Sequence, residues 1–340
     1  MYKWLDEQAC VTANDGTLIP LVNVSADELV DTLGDNYELG QQPIDKIDGK
    51  ELTKGSLIKF KSGRSLTVPN TARLLGVLEK HWTRQLEVGM PIAMVDEVFN
   101  LEEGELDCTP EMVHKAVETF LESGDVVSEM RSIAGRRRIL KELIASRGWL
   151  YGNKWAKSQH HIEYAMTTPN RIVARQMQQL FLQFGMHAIV RMRHVNKHIR
   201  YIVSVHGTYE MKLLFEQFDL QLRGKKNYEM VKGLVSIMRP IEVYPIEMSQ
   251  KIEEVRVKRN TKRSNMVIKE TGNERYRPKT THRREHLRHF AKVLDMPELE
   301  QIANATIRYD RIVSIEKVKF DGVQVDMKSG YLIMNGVVVC

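Results

Sequence analysis

The stretch LKELIASRG, Leu140 to Gly148, reads as the last turns of a helix that stops on glycine before a strand. Where such a helix end meets a cleft, the residue before the glycine is placed to present a catalytic carboxylate. Here it is Arg147, a cation, and a plain glycine stop accounts for the pattern as well. His282, His286 and His289 fall at i, i+4 and i+7 of a predicted helix and so share one side of it. That spacing could hold a metal. The interleaved Arg283, Arg284 and Arg288 make the site inhospitable to a cation, and a basic helix facing solvent or DNA is the preferred reading. His160 and His161 read as strand neighbours at a sheet surface rather than a catalytic dyad. No Walker loop, dinucleotide fingerprint, HExxH or CxxC occurs, so nucleotide-driven and zinc chemistry have no support and no nucleotide cofactor is expected. Cys10, Cys108 and Cys340 are odd in number and far apart, which fits reduced thiols in a cytoplasm rather than disulfides.

The elements that would carry these residues fall into two kinds. Up to about residue 100 the chain reads as β-rich: DGTLIPLVNV follows a turn, and LEVGMPIAMV is a short strand around a glycine. SLIKFKSGRSLTV is a hairpin with Ile58 and Phe60 facing Leu66 and Val68. The last forty residues behave alike, in DRIVSIEKVKF, VQVDMKSGYLIM and NGVVV. Between them, Thr109-Pro110 opens a helix through MVHKAVETFLESG, and RRRILKELIASRG makes a second. Two strands follow, WLYGNKW and HHIEYAM. Thr168-Pro169 then opens a third helix, apolar along Ile172, Val173, Met177, Leu180, Phe181 and Phe184. A long hairpin and the helix TYEMKLLFEQFDL complete an α-β-β-α-β-β-α order. The seventeen methionines are scattered and read as core filler.

A chain of 340 residues predicts two or three domains. No apolar run reaches the roughly 20 residues of a membrane helix, so no membrane partner is expected. The net charge is +6, but Lys251 to Lys292 holds fourteen Lys/Arg against five Asp/Glu. A basic block on a near-neutral body points to a polyanion, and a solvated linker explains it equally well. Lys258, Arg259, Lys262 and Arg263 are its candidate contacts.

In this layout YDRIVSIEKV followed by VQVDMKSGYLIMNGVVV resembles the last two conserved blocks of inteins. DGTLIPL, SGRSLTVPNTARLL and LEVGMPIA resemble the first three, in order. LKELIASRG is similar to the nine-residue motif of LAGLIDADG homing endonucleases, and TTPNRIVARQMQQLFLQFGMHAIVRMRH to the body of one repeat. The resemblance implies an α+β fold. A β-rich Hint-like shell from residues 1–100 and 303–340 would enclose an αββαββα endonuclease-like domain at 101–245. A basic linker and helical segment at 246–302 would lead back to the shell.

The resemblance also implies catalytic positions, and several hold other residues. Splicing requires a nucleophile near the start, where Met1 to Trp4 stand; Cys10 is the stand-in. The block that should hold a histidine has Thr71 or Ala72. The final pair is Val339-Cys340, and Asn335 lies in the Asn-Gly turn. Splicing is therefore expected to be lost. The endonuclease family holds Mg²⁺ between two helix-end carboxylates. Those positions are Ser123 and Arg147 here, with Glu122 and Asp125 as substitutes and any metal site unknown. Cleavage, if retained, would need Mg²⁺. A homodimer, if formed, would pair through the helices ending at Ser123 or Arg147, with Glu142 set against close contact.

The same resemblance makes the strands a saddle on double-stranded DNA. In AIVRMRHVNKHIRYIVSV, Arg191 and Arg193 share one side, Arg200, Ile202 and Ser204 alternate with Tyr201, Val203 and Val205 on the returning strand, and Asn196, Lys197 and His198 form the tip. Lys154, Lys157 and Gln159 belong to the first hairpin. Arg, Asn and Gln read purine edges while Lys meets phosphates. Any half-buried antiparallel strand shows such a polar side. The expectation is a cytoplasmic or nucleoid-associated DNA-binding protein. An active Mg²⁺-dependent site-specific endonuclease and a structural or partner-binding relic are the alternatives.

Overall fold

The structure, a computed structural model, describes residues 2–14, 16–95, 109–124, 132–155, 159–195, 197–218, 229, 232–233, 244–267, 282–328 and 330–340. It is a mixed α+β chain dominated by one large sheet.

Ten strands come first: β1 (Tyr2–Asp6), β2 (Cys10–Thr12), β3 (Leu18–Pro20), β4 (Leu29–Leu33), β5 (Leu39–Pro43), β6 (Lys46–Phe60), β7 (Ser65–Pro69), β8 (Arg73–Leu75), β9 (Lys80–Trp82) and β10 (Pro91–Val95); β2 and β3 pair with each other as a separate small sheet, and the others join the large one. Then come α1 (Pro110–Ser123), α2 (Ile133–Arg147), β11 (Gly148–Trp155), β12 (Gln159–Thr168), α3 (Arg171–Leu182), β13 (Ala188–Val195), β14 (His198–His206) and α4 (Thr208–Phe218). Three helices follow, α5 (Ile246–Lys258), α6 (Arg284–Val293) and α7 (Pro297–Asn304). The chain closes with β15 (Ile307–Asp326), β16 (Tyr331–Met334) and β17 (Val337–Val339). No helix among the described residues is long and apolar enough to cross a membrane.

Strand β15 organises the shell. Its start pairs with β10 (Ile307 opposite Val95), its body with β6 (Ile315 opposite Ile58), and its end with β1 (Val325 opposite Tyr2). One long strand thus joins the two ends of the sequence. Ile58 lies opposite Leu66, and Ile58, Phe60, Leu66 and Val68 are all buried, so alternation alone sorts this hairpin.

The middle segment forms its own four-stranded antiparallel sheet in the order β11-β12-β14-β13. Helices α1 to α4 cover one side of it, around Phe120, Leu143, Tyr164, Phe181 and Val203. Thr109 caps α1 by accepting from the Met112 amide. The cap of α3 is Asn170, which accepts from the Ile172 amide, two residues later than the Thr168-Pro169 start read from sequence. Thr168 Oγ1 instead accepts from the Asn170 amide. The described helices between 246 and 302 pack on the shell. Met248, Ile252, Leu287, Phe290, Leu299 and Ile302 share one core with Leu33, Leu75, Val95 and Val338 of the shell.

Helix α3 fastens the insert to the shell. Gln178 Nε2 donates to Ala188 O at 2.7 Å and to Ser62 O at 3.1 Å, and the Val190 amide donates to the same Ser62 carbonyl. Gln179 reaches Thr12 Oγ1, Gln183 reaches Gly16 O, and Arg175 reaches Ser65 Oγ. The tip of the β6–β7 hairpin therefore covers the outer edge of β13, which would otherwise present unpaired backbone. Gly63 is required there: its φ is +83°, and a Cβ would stand 1.9 Å from Val190 O.

Candidate nucleic-acid interface

The β13–β14 hairpin extends beyond the helices. Every described residue from Arg191 through Arg200 is exposed, including Met192, at 57%. Lys197 turns the chain in the left-handed region at φ +67°. The register sets Arg193 directly opposite Arg200 and Arg191 opposite Ile202. Because residues two apart share a side, Arg191, Arg193 and Arg200 stand together on the side away from the helices. Like charges directly opposed across an antiparallel pair are unfavourable. Neither Arg193 nor Arg200 forms an ion pair among the described residues, nor does Lys197 at the tip.

Closer to the body the same side changes character. Arg191 reaches across the sheet, donating to Ser204 Oγ at 3.1 Å and pairing with the Glu163 carboxylate on β12. Beside it on β11 lie Trp149 and Tyr151, each 44% exposed, opposite Ala165 and Glu163. The open side thus grades from two aromatics and a paired arginine to a projecting ribbon whose cations have no ion-pair partner among the described residues. A two-stranded ribbon fits a major groove about 12 Å wide.

The other predicted contacts are dispersed. Lys154 pairs in register with His160 and Gln159 with Trp155. Their side chains, with Lys157 and Asn196, lie outside the described residues, whereas His198 is exposed beside the tip. In the basic block, Arg263 and Arg256 both bind Glu253, holding its carboxyl down at about 2. Arg259 faces Asp295 at 3.5 Å, while Lys258 and Lys262 are exposed. Part of this block's charge is therefore spent within the fold.

The helix-end positions hold no carboxylate pair. Arg147 is the exposed last residue of α2, and Ser123 Oγ donates to Thr119 O. Glu122 is exposed and its carbonyl accepts from Asn170 Nδ2. Asp125 lies outside the described residues. No group of three or more His, Cys, Asp or Glu that could hold a metal occurs among the described residues. Helix α1 packs on α2 within one chain, with Val117 and Phe120 in the same core as Leu140, Leu143 and Ile144. The glycine after Arg147 has a spatial reason. A Cβ on Gly148 would lie 1.5 Å from the Tyr164 hydroxyl, which donates to Ile144 O beneath the helix end.

Two of the splicing-related positions meet and two lie elsewhere. The Cys10 amide donates to Asn335 Oδ1 at 3.0 Å, the Asn335 amide returns to Cys10 O, and Asn335 Nδ2 donates to Ser65 O. Asn335 thereby pins its turn, with φ +52° followed by Gly336 at +79°, against β2. Burial pushes the Cys10 thiol up, against the opposing pull of Arg175. A protonated thiol is a weak nucleophile. Five residues of β1 precede Cys10, so a first strand exists without it starting the chain. Ala72 is buried and its carbonyl accepts from Thr83 Oγ1. The Cys340 amide donates to Arg73 O, and burial pushes its thiol up to about 12. Sequence reading missed Arg175 and the docking glutamines. Their only signal was a run of Gln176, Gln178, Gln179 and Gln183 on a helix otherwise rich in apolar residues.

The three histidine rings pack edge-on or tilted around Phe290, His282 most closely at 5.0 Å between ring centres, and His282 precedes α6 rather than sharing its face as the spacing predicted. Burial, with the neighbouring His286, lowers His282 to about 4.

No protein-family model and no curated protein matches the chain. Among solved structures it is similar to a variant of the Ssp DnaB mini-intein, 16% identical with a TM-score of 0.26, over 32% of this chain and 69% of that one. It is also similar to the gp41-1 intein, 18% identical with a TM-score of 0.24, over 27% of this chain and 68% of that one. Likenesses at this level assign the chain neither an activity nor a site.

Proposed function

We propose that this chain is an intein-derived protein that binds double-stranded DNA through the open side of its four-stranded sheet, with splicing lost. One observation supports the DNA reading above the others. A projecting two-stranded ribbon opposes Arg193 to Arg200 with no ion-pair partner among the described residues. A fold that keeps this repulsion gains when a polyanion neutralises it, and the arginine forks fit guanine edges or phosphates. Cleavage is not part of the proposal, because Arg147 and Ser123 stand where the resemblance calls for carboxylates. Mg²⁺ therefore has no role in binding.

The test is selection of a randomised duplex pool at moderate salt, with and without Mg²⁺, followed by sequencing of retained DNA and of its ends. Enrichment of a defined motif with intact ends supports sequence-preferring binding. Retention that falls equally for all sequences as salt rises marks a relic that holds DNA by charge alone. Breaks at one position within the motif, only with Mg²⁺, would show an acid supplied from elsewhere and a surviving endonuclease. No retention at low salt refutes the proposal.

A further inference from the structure

Strand β11 is one edge of the insert's sheet, and its open side carries Trp149 and Tyr151. Among the described residues no other Phe, Tyr or Trp is as exposed. The register explains why Trp149 is open. Directly opposite it stands Ala165, which is itself opposite Ser204, so the neighbouring strands raise only a methyl and a hydroxyl beside the indole. Its diagonal neighbour Thr167 is exposed as well. Trp149 forms no side-chain hydrogen bond, ring contact or cation–π contact among the described residues. On the same side, Arg191 reaches over β14 to Glu163 on β12, the strand next to β11. A broad ring thus stands about one strand spacing, roughly 4.8 Å, from the strand that receives a guanidinium. Arg193 and Arg200 follow further out on that side.

We infer that Trp149 is a stacking seat for an unpaired base, so that the open side takes up DNA in which a base has left the helix. The inference rests on the DNA reading and narrows it. A base pair inside a duplex shows a protein only its edges, in the grooves. The face of a base becomes available when it is unpaired, and an aromatic ring is the partner it then meets. Spacing points the same way. Trp149 and Tyr151 are two residues apart on one strand, about 6.8 Å. That is about twice the 3.4 Å rise of stacked bases, so the two positions match successive bases that have come apart. A single surface tryptophan needs no explanation. This one shares its side with a second aromatic and with arginines that suit the flanking phosphates.

The test uses the full chain and three labelled duplexes of one sequence: fully paired, carrying one bulged adenine, and carrying an abasic bulge at the same place. The abasic bulge keeps the kink and the flexibility but removes the ring. The bulged adenine should be bound about tenfold more tightly than either of the others. In Trp149→Leu the adenine should lose its preference over the abasic bulge, and Trp149→Phe should keep most of it. A ratio of two affinities is insensitive to a general loss of folded protein, so a variant of lower stability still decides the matter. Equal affinity for the adenine and abasic bulges, with the paired duplex bound, overturns the inference and leaves the DNA reading standing. A preference that survives Trp149→Leu overturns it too, because another residue then receives the base. No binding to any of the three refutes both readings.

Discussion

At the scale of single residues, the sharpest feature is a pair of arginines set opposite each other with no ion-pair partner among the described residues. Removing one has opposite effects on stability and on binding. Arg200→Ala relieves a cross-strand repulsion worth a few tenths of a kcal/mol, so the unfolding midpoint should stay level or rise slightly. Duplex affinity should fall by about tenfold, and the slope of log affinity against log salt should shrink by about one if the lost contact is a phosphate. An unchanged salt slope with a lost sequence preference would mark a base contact instead. If Arg200→Ala and Arg193→Ala both leave affinity untouched, the ribbon is not the binding element. Gly148 makes a different kind of demand. Its backbone is ordinary extended chain, but the Tyr164 hydroxyl occupies the space of a Cβ at 1.5 Å. Gly148→Ala should cost about 2 kcal/mol or more in denaturant unfolding. Tyr164→Phe in the same chain should recover little, because the ring carbon Cζ would still lie 2.1 Å from that Cβ. The glycine that ends LKELIASRG is thus fixed by packing whether or not the preceding residue was ever an acid.

At the scale of elements, periodicity and turn chemistry carried far and then stopped for a physical reason. The order α-β-β-α-β-β-α, the Thr109 cap and the Asn335-Gly336 turn are local, and local rules read them from neighbours in sequence. Sides of the β13–β14 ribbon followed from alternation alone. Illegible were the joins between distant segments. Cys10 and Asn335 are separated by 325 positions and bind through backbone and amide, which leaves no pattern in either neighbourhood. The glutamines of α3 looked like ordinary helix polarity until the shell supplied their partners, Ser62, Thr12 and Gly16. The basic block was read by its charge sum, yet Glu253 takes up two of its arginines locally. Gly63 shows how a legible turn can conceal an illegible role. As a hairpin turn it needs a left-handed glycine; as a docking point it needs the absence of a side chain against Val190 O. Gly63→Ala should therefore destabilise by about 3 kcal/mol, more than backbone strain alone at a turn. Its signature should be loss of amide protection along β13 as well as at the turn, measured by hydrogen exchange. Loss confined to the turn would show that shell and insert are not fastened there.

At the scale of the molecule, helices α5–α7 share one core with the shell and should respond to acid together with it. Helices α5, α6 and α7 share side-chain contacts with strands from both ends of the sheet, so loosening them exposes Leu75, Val95 and Val338 as well. His282 sits in that core beside Phe290, its pKa depressed by burial and by His286 to about 4 from 6.5. A histidine depressed in the folded state binds its proton more readily when unfolded. Between pH 6.5 and 4 the unfolded chain therefore takes up a proton that the folded chain refuses, and stability falls as pH falls. Above 6.5 neither state is protonated and this contribution is flat. At about 1.4 kcal/mol per unit of depression, acidification through the window should cost about 2–3 kcal/mol. The paired Glu253 acts in a lower window. Its depressed carboxyl contributes above 4.5 and is lost as pH falls toward about 2. Thermal unfolding across pH should show a decline beginning near 6.5, well above the range where carboxylates titrate. His282→Leu should flatten that upper decline while leaving the lower one in place. Because the core is shared, the transition should remain single at each pH. A separate early transition in near-neutral conditions would mean that α5–α7 unfold from the shell on their own, and an unflattened decline in His282→Leu would assign the upper window to another group.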